Sequence, residues 1–252
     1  MPDLELFTAS DLADIDVVYY VKNGERNDEL ALSLRSLAHF PHRRVHIVGH
    51  TPRWVKNVNS IPGNRLTRAS GWANGLDNVH LTSRYRGPMT DKVVIFNDDF
   101  IVLEPVDVMP LYYRGGLEEH VLTLDLDASW GESMIATLDR LESIMDIKPL
   151  SYELHIPMPV HRNLLAAALS WGHDSVVRTP DPALQWRSLY GNFLRMHRGV
   201  TGVQRNDVKV KSRDHGPIVT RDFLSTSDRT WRRPRVQSAI RGRIPRASRY
   251  VA

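Results

Sequence analysis

The 252-residue sequence contains no cysteine, which excludes disulfides, thiolate metal sites and a cysteine nucleophile. It has no apolar run that approaches the roughly 18 residues needed for a membrane-spanning helix. Its opening stretch, MPDLELFTASDLADID, is acidic and lacks the basic and apolar regions of a secretory signal peptide. We therefore expect an intracellular, cytoplasmic protein without a transmembrane segment.

Acidic residues are also scarce near the C-terminus. Residues 228–252 contain eight arginines and one acidic residue, Asp228, so that they carry a charge of +7. The whole chain has a formal net charge of +4, and residues 1–227 are therefore mildly acidic. Interrupting prolines and a glycine predict a flexible Arg-rich arm over residues 228–252. Such an arm either binds a polyanion (nucleic acid, an anionic lipid surface or an acidic glycan) or is a solvated extension.

The most informative stretch is DKVVIFNDDFIVLEP, residues 91–105. Val93–Phe96 predicts a strand that is buried on both faces of a sheet. Asp98 and Asp99 follow it directly, and burying a carboxylate is costly unless it is paired or bound to a metal. Ligands gather beyond the carboxyl ends of strands in α/β sheets, and Mg²⁺ and Mn²⁺ prefer oxygen ligands. These residues indicate either a divalent-cation site or a turn in which Asn97 and the aspartates cap backbone groups.

The first half of the chain predicts an α/β fold. Ile15–Val21 and Val45–Val48 have the composition of strands. Between them, Asp28–Phe40 predicts a helix that is capped by Asn27 or Asp28, which completes a βαβ unit. The irregular segment 52–90 is rich in proline and glycine and predicts a long loop, part of which we expect to cover a bound ligand.

The second half predicts one further strand and several helices. Val121–Leu126 is the strand, and it ends in a second acidic pair, Asp125 and Asp127, which we interpret as structural caps. Ser129 and Glu132 have the spacing of a capping box at the start of the next helix. Two more helices are expected over residues 163–171 and 183–197, the second with Trp186 and Tyr190 in the core, and residues 208–211 predict a last edge strand.

Six short blocks stand in a fixed order along the chain: DVVYYVKNG (16–24), DELALSLRS (28–36), VHIVGHTPRW (45–54), FNDDF (96–100), HIP followed by Arg162 (155–162) and QWRSLYGNF (185–193). Together they resemble the Stealth family of sugar-phosphate transferases, which includes capsule-forming enzymes and a GlcNAc-1-phosphotransferase. The match is more specific than any one acidic pair, because it depends on the order and spacing of several blocks.

The resemblance implies a fold and a donor. The fold is a GT-A-like (Rossmann-like) three-layer α/β sandwich with a mostly parallel central sheet, which we assign to a catalytic domain over residues 1–227. The donor is a nucleotide sugar, generally a UDP-sugar, bound through Mn²⁺ or Mg²⁺ on Asp98 and Asp99. Asp16 would contact the donor, through its uracil or ribose, and Arg35 its diphosphate.

The resemblance also implies catalytic roles for His155, Arg162 and Asp99. Imidazole is suited to accept a proton from a hydroxyl acceptor near neutral pH, so His155 is the candidate base or phosphate contact. Arg162 would stabilise charge on the phosphate, with Arg187 as a further phosphate contact. Asp99 would act through the cation, as part of a Lewis-acid site.

Two reactions are compatible with these roles. Attack of the acceptor hydroxyl on the anomeric carbon gives a glycoside and UDP, whereas attack on the β-phosphorus transfers sugar-1-phosphate and releases UMP. The first block lacks the family's tryptophan and the chain is short, which favours glycosyl transfer, with an acceptor on a polyanion such as DNA with hydroxylated bases or a surface glycan. The rival hypothesis is a nucleic-acid-binding protein without enzymatic activity.

Overall fold

The β-branched runs of the sequence form a five-stranded sheet in a computed structural model of the chain. The structure describes residues 6–63, 71–124, 128–172, 182–211, 222–227, 229–240 and 242–252. Within these ranges the strands are β1 (Leu6–Thr8), β2 (Asp16–Val21), β3 (Val45–Gly49), β4 (Asn59–Ile61), β5 (Lys92–Asn97), β6 (Phe100–Val102), β7 (Val108–Pro110), β8 (Tyr112–Tyr113), β9 (Gly115–Gly116), β10 (Leu150–Ser151), β11 (Met158–His161), β12 (Val203–Gln204) and β13 (Phe223–Ser225). The α-helices are α1 (Ala9–Asp14), α2 (Asp28–Ser36), α3 (Gly71–Arg84), α4 (Leu117–Val121), α5 (Ser129–Ile144), α6 (Arg162–Gly172), α7 (Trp186–Arg198) and α8 (Pro234–Ile240).

The central sheet has the strand order β11-β5-β2-β3-β4. Strands β5, β2, β3 and β4 are parallel, and the edge strand β11 runs antiparallel to β5. The prediction of an α/β fold with a mostly parallel sheet is therefore confirmed. The finer assignment to a GT-A-like fold stays a prediction.

Both faces of the sheet are covered, because successive side chains of a strand point to opposite sides. Val17 and Tyr19 of β2 belong to one hydrophobic cluster, together with residues of helix α2. Val18 belongs to a second cluster, together with residues of helices α3, α6 and α7. The sheet is thus the middle layer between two helical layers.

The predicted βαβ unit is confirmed. Strands β2 and β3 are parallel neighbours and helix α2 connects them. The side chain of Asn27 caps α2, since its Oδ1 accepts a hydrogen bond from the backbone N–H of Leu30 at 2.9 Å. Leu30 and Leu34 of this helix are fully buried against the sheet.

Three local predictions differ from the structure. The segment 52–90, expected to be a loop, contains β4 and the 14-residue helix α3. The prediction of a strand over Val121–Leu126 is wrong for the residues of this range that the structure describes. Helix α4 ends at Val121, and a turn follows in which Leu122 is 78 % exposed. Helix α5 begins at Ser129 without a side-chain cap, so the predicted capping box is not formed. The acidic pair Asp125 and Asp127 lies outside the described residues.

The Arg-rich segment also differs from the flexible arm expected of it. Helix α8 lies in this segment, and its Val236 and Ile240 pack against Ile101 and Leu224 in a separate hydrophobic cluster. These two apolar residues stand four apart and so share one face of the helix. Near the chain end, Val251 pairs with Val55 in an antiparallel bridge. Apolar residues between the arginines therefore fix the described part of the segment to the fold.

None of the helices in the described ranges combines the length and the apolarity that crossing a membrane requires.

Candidate active site

The turn between β5 and β6 brings Asp98 and Asp99 to the carboxyl ends of the parallel strands. A cavity of about 290 Å³ lies beside this turn. Its acidic and basic lining residues are Asp99, Glu153, His155, Arg187 and Lys209. Ligand-binding crevices of α/β sheets lie at this edge, so the cavity is the candidate active site.

Asp99 is paired with protein donors on one of its two oxygens. Its Oδ2 lies 2.6 Å from Nζ of Lys209 and accepts a hydrogen bond from Oγ of Ser225 at 2.7 Å. Only 9 % of Asp99 is exposed, which makes a counter-charge necessary. The carboxylate that the sequence assigns to a cation is therefore neutralised by an ammonium group.

Asp98, the neighbouring carboxylate, is less well compensated. Its Oδ2 accepts a hydrogen bond from Nδ2 of Asn27 at 2.7 Å. Burial and the charge of Asp99 raise the pKa of Asp98 in spite of that hydrogen bond. Asn27 thus joins the cap of helix α2 to the acidic turn, since its Oδ1 caps the helix and its amide nitrogen contacts Asp98.

As arranged, the two aspartates do not fit a resident divalent cation. Each has a nitrogen donor within 2.7 Å of its Oδ2, from Lys209 in one case and Asn27 in the other. The ammonium of Lys209 would repel a cation bound to the same carboxylate. In the part of the chain that the structure describes, no group of three or more His, Asp or Glu side chains is arranged to hold a metal ion. The assignment of Mn²⁺ or Mg²⁺ to Asp98 and Asp99 stays a prediction.

His155 forms a close pair with Asp207. Its Nδ1 lies 2.8 Å from Asp207 Oδ2, and its backbone N–H donates to Asp207 Oδ1 at 2.9 Å. Burial alone would raise the pKa of Asp207, but the hydrogen bond and charge of His155 hold it well below its usual range. Of the two neutral tautomers of His155, the contact with Asp207 favours the one with the proton on Nδ1, and in that tautomer the lone pair is on Nε2. The side chain is 37 % exposed and lines the cavity, as a general base requires.

Arg187 presents a buried guanidinium with one unpaired nitrogen. Nη1 donates to the carbonyl oxygen of Ile156 at 2.9 Å, whereas the buried Nη2 has no partner among the described residues. Its carbon Cζ lies 5.4 Å from the ring centre of Phe100 and 5.2 Å from that of Trp186. Only 6 % of the residue is exposed, and this burial lowers the pKa of Arg187. A buried donor without an acceptor at a cavity wall is suited to an anionic ligand.

Glu153 lies near Arg187 and is held by the start of helix α7. Its Oε1 accepts hydrogen bonds from both the backbone N–H and the hydroxyl of Ser188, each at 3.0 Å. Burial raises the pKa of Glu153, although the charge of Arg187 and the bonds from Ser188 oppose the shift. The hydrogen bonds from Ser188 and the charge of Arg187 therefore offset only part of the cost of burying this carboxylate.

Aromatic side chains form much of the remaining wall. Tyr20, Phe100, Trp130 and Trp186 line the cavity. Trp186 was expected in the core, but it is only partly buried and lies edge-on to Tyr20, with ring centres 6.4 Å apart. Tyr190 is 1 % exposed, and for this residue the expectation of a core position is confirmed.

Asp16 lies at the opposite end of the sheet from the cavity. It begins β2 beside Val93, whereas Tyr20, four residues on and therefore about 13 Å away, lies beside Asn97. Asp16 is fully buried and accepts hydrogen bonds from Arg43, His46 and the backbone N–H of Thr90. The structure thus places Asp16 away from the cavity, and its predicted contact with the donor stays a prediction.

Arg162 also lies at that opposite end. Its three guanidinium nitrogens donate to the carbonyl oxygens of Thr82, Tyr85 and Met89, and the residue is 7 % exposed. It joins the end of α3 to the segment before β5, and it is not among the residues that line the cavity. Each guanidinium nitrogen already donates to a backbone carbonyl and the residue lies away from the cavity, so the structure does not place Arg162 where the predicted phosphate contact requires it.

Arg35, on helix α2, is a third predicted residue that the structure keeps out of the cavity. Of the predicted site residues, Asp99, His155 and Arg187 line the cavity together, and Asp98 lies next to it in the turn. Lys209, Asp207 and Glu153 were missed. Glu153 is two residues before His155, but nothing in the sequence spacing marks the other two, which join the site only through folding.

No protein-family model matches this chain, and no curated protein is found as a match. The resemblance of the six blocks to the Stealth family therefore stays a prediction from the sequence, and the chemistry of the cavity is an independent guide to function.

Proposed function

We propose that this chain is a glycosyltransferase that moves a sugar from a UDP-sugar to a hydroxyl acceptor. One observation supports this most strongly. His155, which is paired with Asp207, lines the same cavity as Arg187, whose Nη2 has no partner among the described residues. Transfer to a hydroxyl needs a base for the incoming oxygen and a positive charge for the departing diphosphate. The cavity offers both kinds of group.

In the proposed reaction, Nε2 of His155 accepts the proton of the acceptor hydroxyl while that oxygen attacks the anomeric carbon. Asp207 stabilises the resulting imidazolium through its bond to Nδ1. The bond between the anomeric carbon and the β-phosphate oxygen breaks, and UDP leaves with that electron pair. Nη2 of Arg187 donates to the diphosphate, whose charge increases in this step.

The aromatic wall suits the organic part of the donor. Stacking on tryptophan or tyrosine is a general way to hold a flat base such as uracil. Trp130 and Trp186 line the same cavity as the charged groups. The donor would thus have its base against aromatic rings and its phosphates against Arg187.

We further propose a polyanionic acceptor, such as DNA with hydroxylated bases or an acidic surface glycan. Residues 229–252 include several exposed arginines: Arg229, Arg232, Arg243, Arg246 and Arg249. Because part of this segment is fixed to the fold, its positive charge is presented at a defined surface. Binding of the acceptor should therefore weaken as the salt concentration rises.

The test is a transfer assay that identifies the released nucleotide and varies the acceptor. We expect UDP from a UDP-sugar, and a kcat about 10²- to 10⁴-fold lower in His155→Gln, because the proton acceptor is lost. His197→Gln is the matched control, since His197 is exposed on α7 and does not line the cavity. It should retain wild-type turnover.

Other results would identify the alternatives. Release of UMP instead of UDP would indicate sugar-1-phosphate transfer, as the Stealth resemblance implies. Equal turnover in the His155→Gln and wild-type proteins would reject His155 as the base. If no nucleotide sugar binds or reacts, while DNA binds in a salt-dependent manner, the chain is a nucleic-acid-binding protein and the proposed activity is wrong.

A further inference from the structure

We propose that Lys209 supplies the positive charge that a divalent cation would otherwise bring to this cavity, so that the diphosphate of the donor is bound without a metal ion. The inference rests on the proposed function, because it names how the same site holds the same donor. It concerns a residue whose only predicted place was in a short edge strand.

The position of Lys209 supports this role. Its ammonium lies 2.6 Å from Asp99 Oδ2, on the carboxylate that would have been a metal ligand. The side chain is 23 % exposed and lines the cavity, so that it is both held by the protein and accessible to a ligand. A compact ammonium with three donors can contact Asp99 and a phosphate oxygen at the same time.

The backbone around Lys209 is fixed to β13, which pairs with β6, the strand that follows Asp99. Lys209 forms a parallel bridge with Ser225, and the N–H of Val210 donates to the Ser225 carbonyl at 2.9 Å. Ser225 in turn pairs with Phe100, the residue after Asp99, across β13 and β6. Strand pairing therefore holds the backbone of Lys209 next to the acidic turn, and the bond to Asp99 holds its ammonium at the cavity.

Arg187 provides a second, independent indication of an anion. Its Nη2 is buried, has no partner among the described residues and belongs to a residue that lines the same cavity. Two cationic side chains from different segments thus border one cavity. A diphosphate, which carries at least two negative charges, matches this pair better than a neutral ligand does.

The experiment measures binding of UDP by calorimetry in EDTA and again with Mn²⁺. We expect wild-type protein to bind UDP in EDTA, with a Kd that Mn²⁺ changes by less than about threefold. Lys209→Gln should weaken binding by about 10- to 100-fold, the size of one charge-assisted hydrogen bond. The control Lys211→Gln, whose exposed side chain does not line the cavity, should leave Kd unchanged.

Lys209→Arg is a control for misfolding of the Lys209→Gln variant. It keeps the positive charge, so it should retain most of the UDP binding that Lys209→Gln loses. Wild-type binding that requires Mn²⁺, or Lys209→Gln protein that binds UDP as tightly as wild type, would overturn the inference. In the first case UDP-sugar turnover would persist with Mn²⁺ and the proposed function would stand. Failure of UDP to bind under both conditions would reject the function and the inference together.

Discussion

The two ends of the central sheet carry buried charges, but they differ in how those charges are paired. At the amino ends of the strands, Asp16 accepts four hydrogen bonds and all three guanidinium nitrogens of Arg162 donate to carbonyl groups. At the carboxyl ends, Nη2 of Arg187 has no partner in the part of the chain that the structure describes, and burial raises the pKa of Asp98 and Glu153. The charged groups are buried to a similar degree at both ends of the sheet. Those at the amino ends have more hydrogen bonds from the protein than those at the carboxyl ends.

This difference separates a structural cluster from a candidate site. A charged group that the protein already holds through several hydrogen bonds has little capacity left for a ligand, and its substitution should lower stability. A buried charge that is only partly compensated is costly to the fold, and such groups occur where a ligand completes them. The following predictions test that distinction from the largest effect to the smallest.

The largest effect is expected for Arg187→Met. It removes the proposed donor to the diphosphate, so kcat/KM should fall about 10²- to 10³-fold, or about 3–4 kcal/mol, for a UDP-sugar. Arg195→Met is the matched control on the same helix, because Arg195 also donates to a backbone carbonyl, that of Lys148, but does not line the cavity. Circular dichroism of both variants checks their folding. If kcat/KM fell equally in the Arg187→Met and Arg195→Met variants, the loss would come from damage to helix α7 and not from a missing contact in the cavity.

The second prediction concerns Asp16→Asn at the other end. It should lower the free energy of unfolding by about 3 kcal/mol at pH 7, because it leaves buried donors without a charged acceptor. Turnover per folded molecule should remain that of wild type. Urea denaturation gives the first quantity and a transfer assay the second. If Asp16→Asn lost turnover but kept its stability, Asp16 would have a functional role, as the sequence predicted.

The same variant has a defined dependence on pH. Partners hold the pKa of Asp16 well below its ordinary value of 3.8, so folding stabilises the ionised form. That contribution is complete above about pH 4 and is lost as the pH falls toward the lower, folded-state pKa. The difference in stability between wild type and Asp16→Asn should therefore be largest near neutral pH and shrink below pH 4.

The smallest stability effect is expected for Glu153→Gln, which makes the corresponding carboxylate-to-amide change beside the cavity. Folding raises the pKa of Glu153 above its ordinary 4.5, so the ionised form is unfavourable in the folded protein at neutral pH. This cost disappears as the pH falls through the folded-state pKa. At pH 7 the variant should be as stable as wild type or up to about 1 kcal/mol more stable. If urea denaturation showed that Glu153→Gln lowers the free energy of unfolding by several kcal/mol, Glu153 would stabilise the fold as Asp16 does, and the proposed difference between the two ends would be wrong.

Much of the fold could be predicted because its signals are local. Val93–Phe96 is long and apolar enough to identify a buried strand, and Asn27 precedes a regular leucine stripe. Helix α3 was missed because its glycines and asparagines have low helix propensity, so that its formation depends on tertiary contacts with β3 and α6. The turn after α4 was read as a strand because alternating apolar residues carry no information about whether they will be buried.

The site could be predicted only where one short segment contains the relevant residues. Asp98 and Asp99 interrupt a strand signal, and His155 stands in a recognisable block. Lys209 and Asp207 have no such context, because their roles arise from contacts with Asp99 and His155 across 110 and 52 residues of sequence. Arg162, in contrast, lies in a recognisable block but is used to join two segments of backbone.

The pairing of β13 with β6 has a consequence for how the protein forms. Asp99 is separated from Lys209 by 110 residues and from Ser225 by 126. The ammonium of Lys209 can therefore reach Asp99 only after a long loop has closed. Contacts of such high sequence separation form late and slowly. During folding, Asp99 would therefore lack its counter-charge until the segments around Lys209 and Ser225 had packed beside the turn, and the charge pattern of the cavity would be completed late.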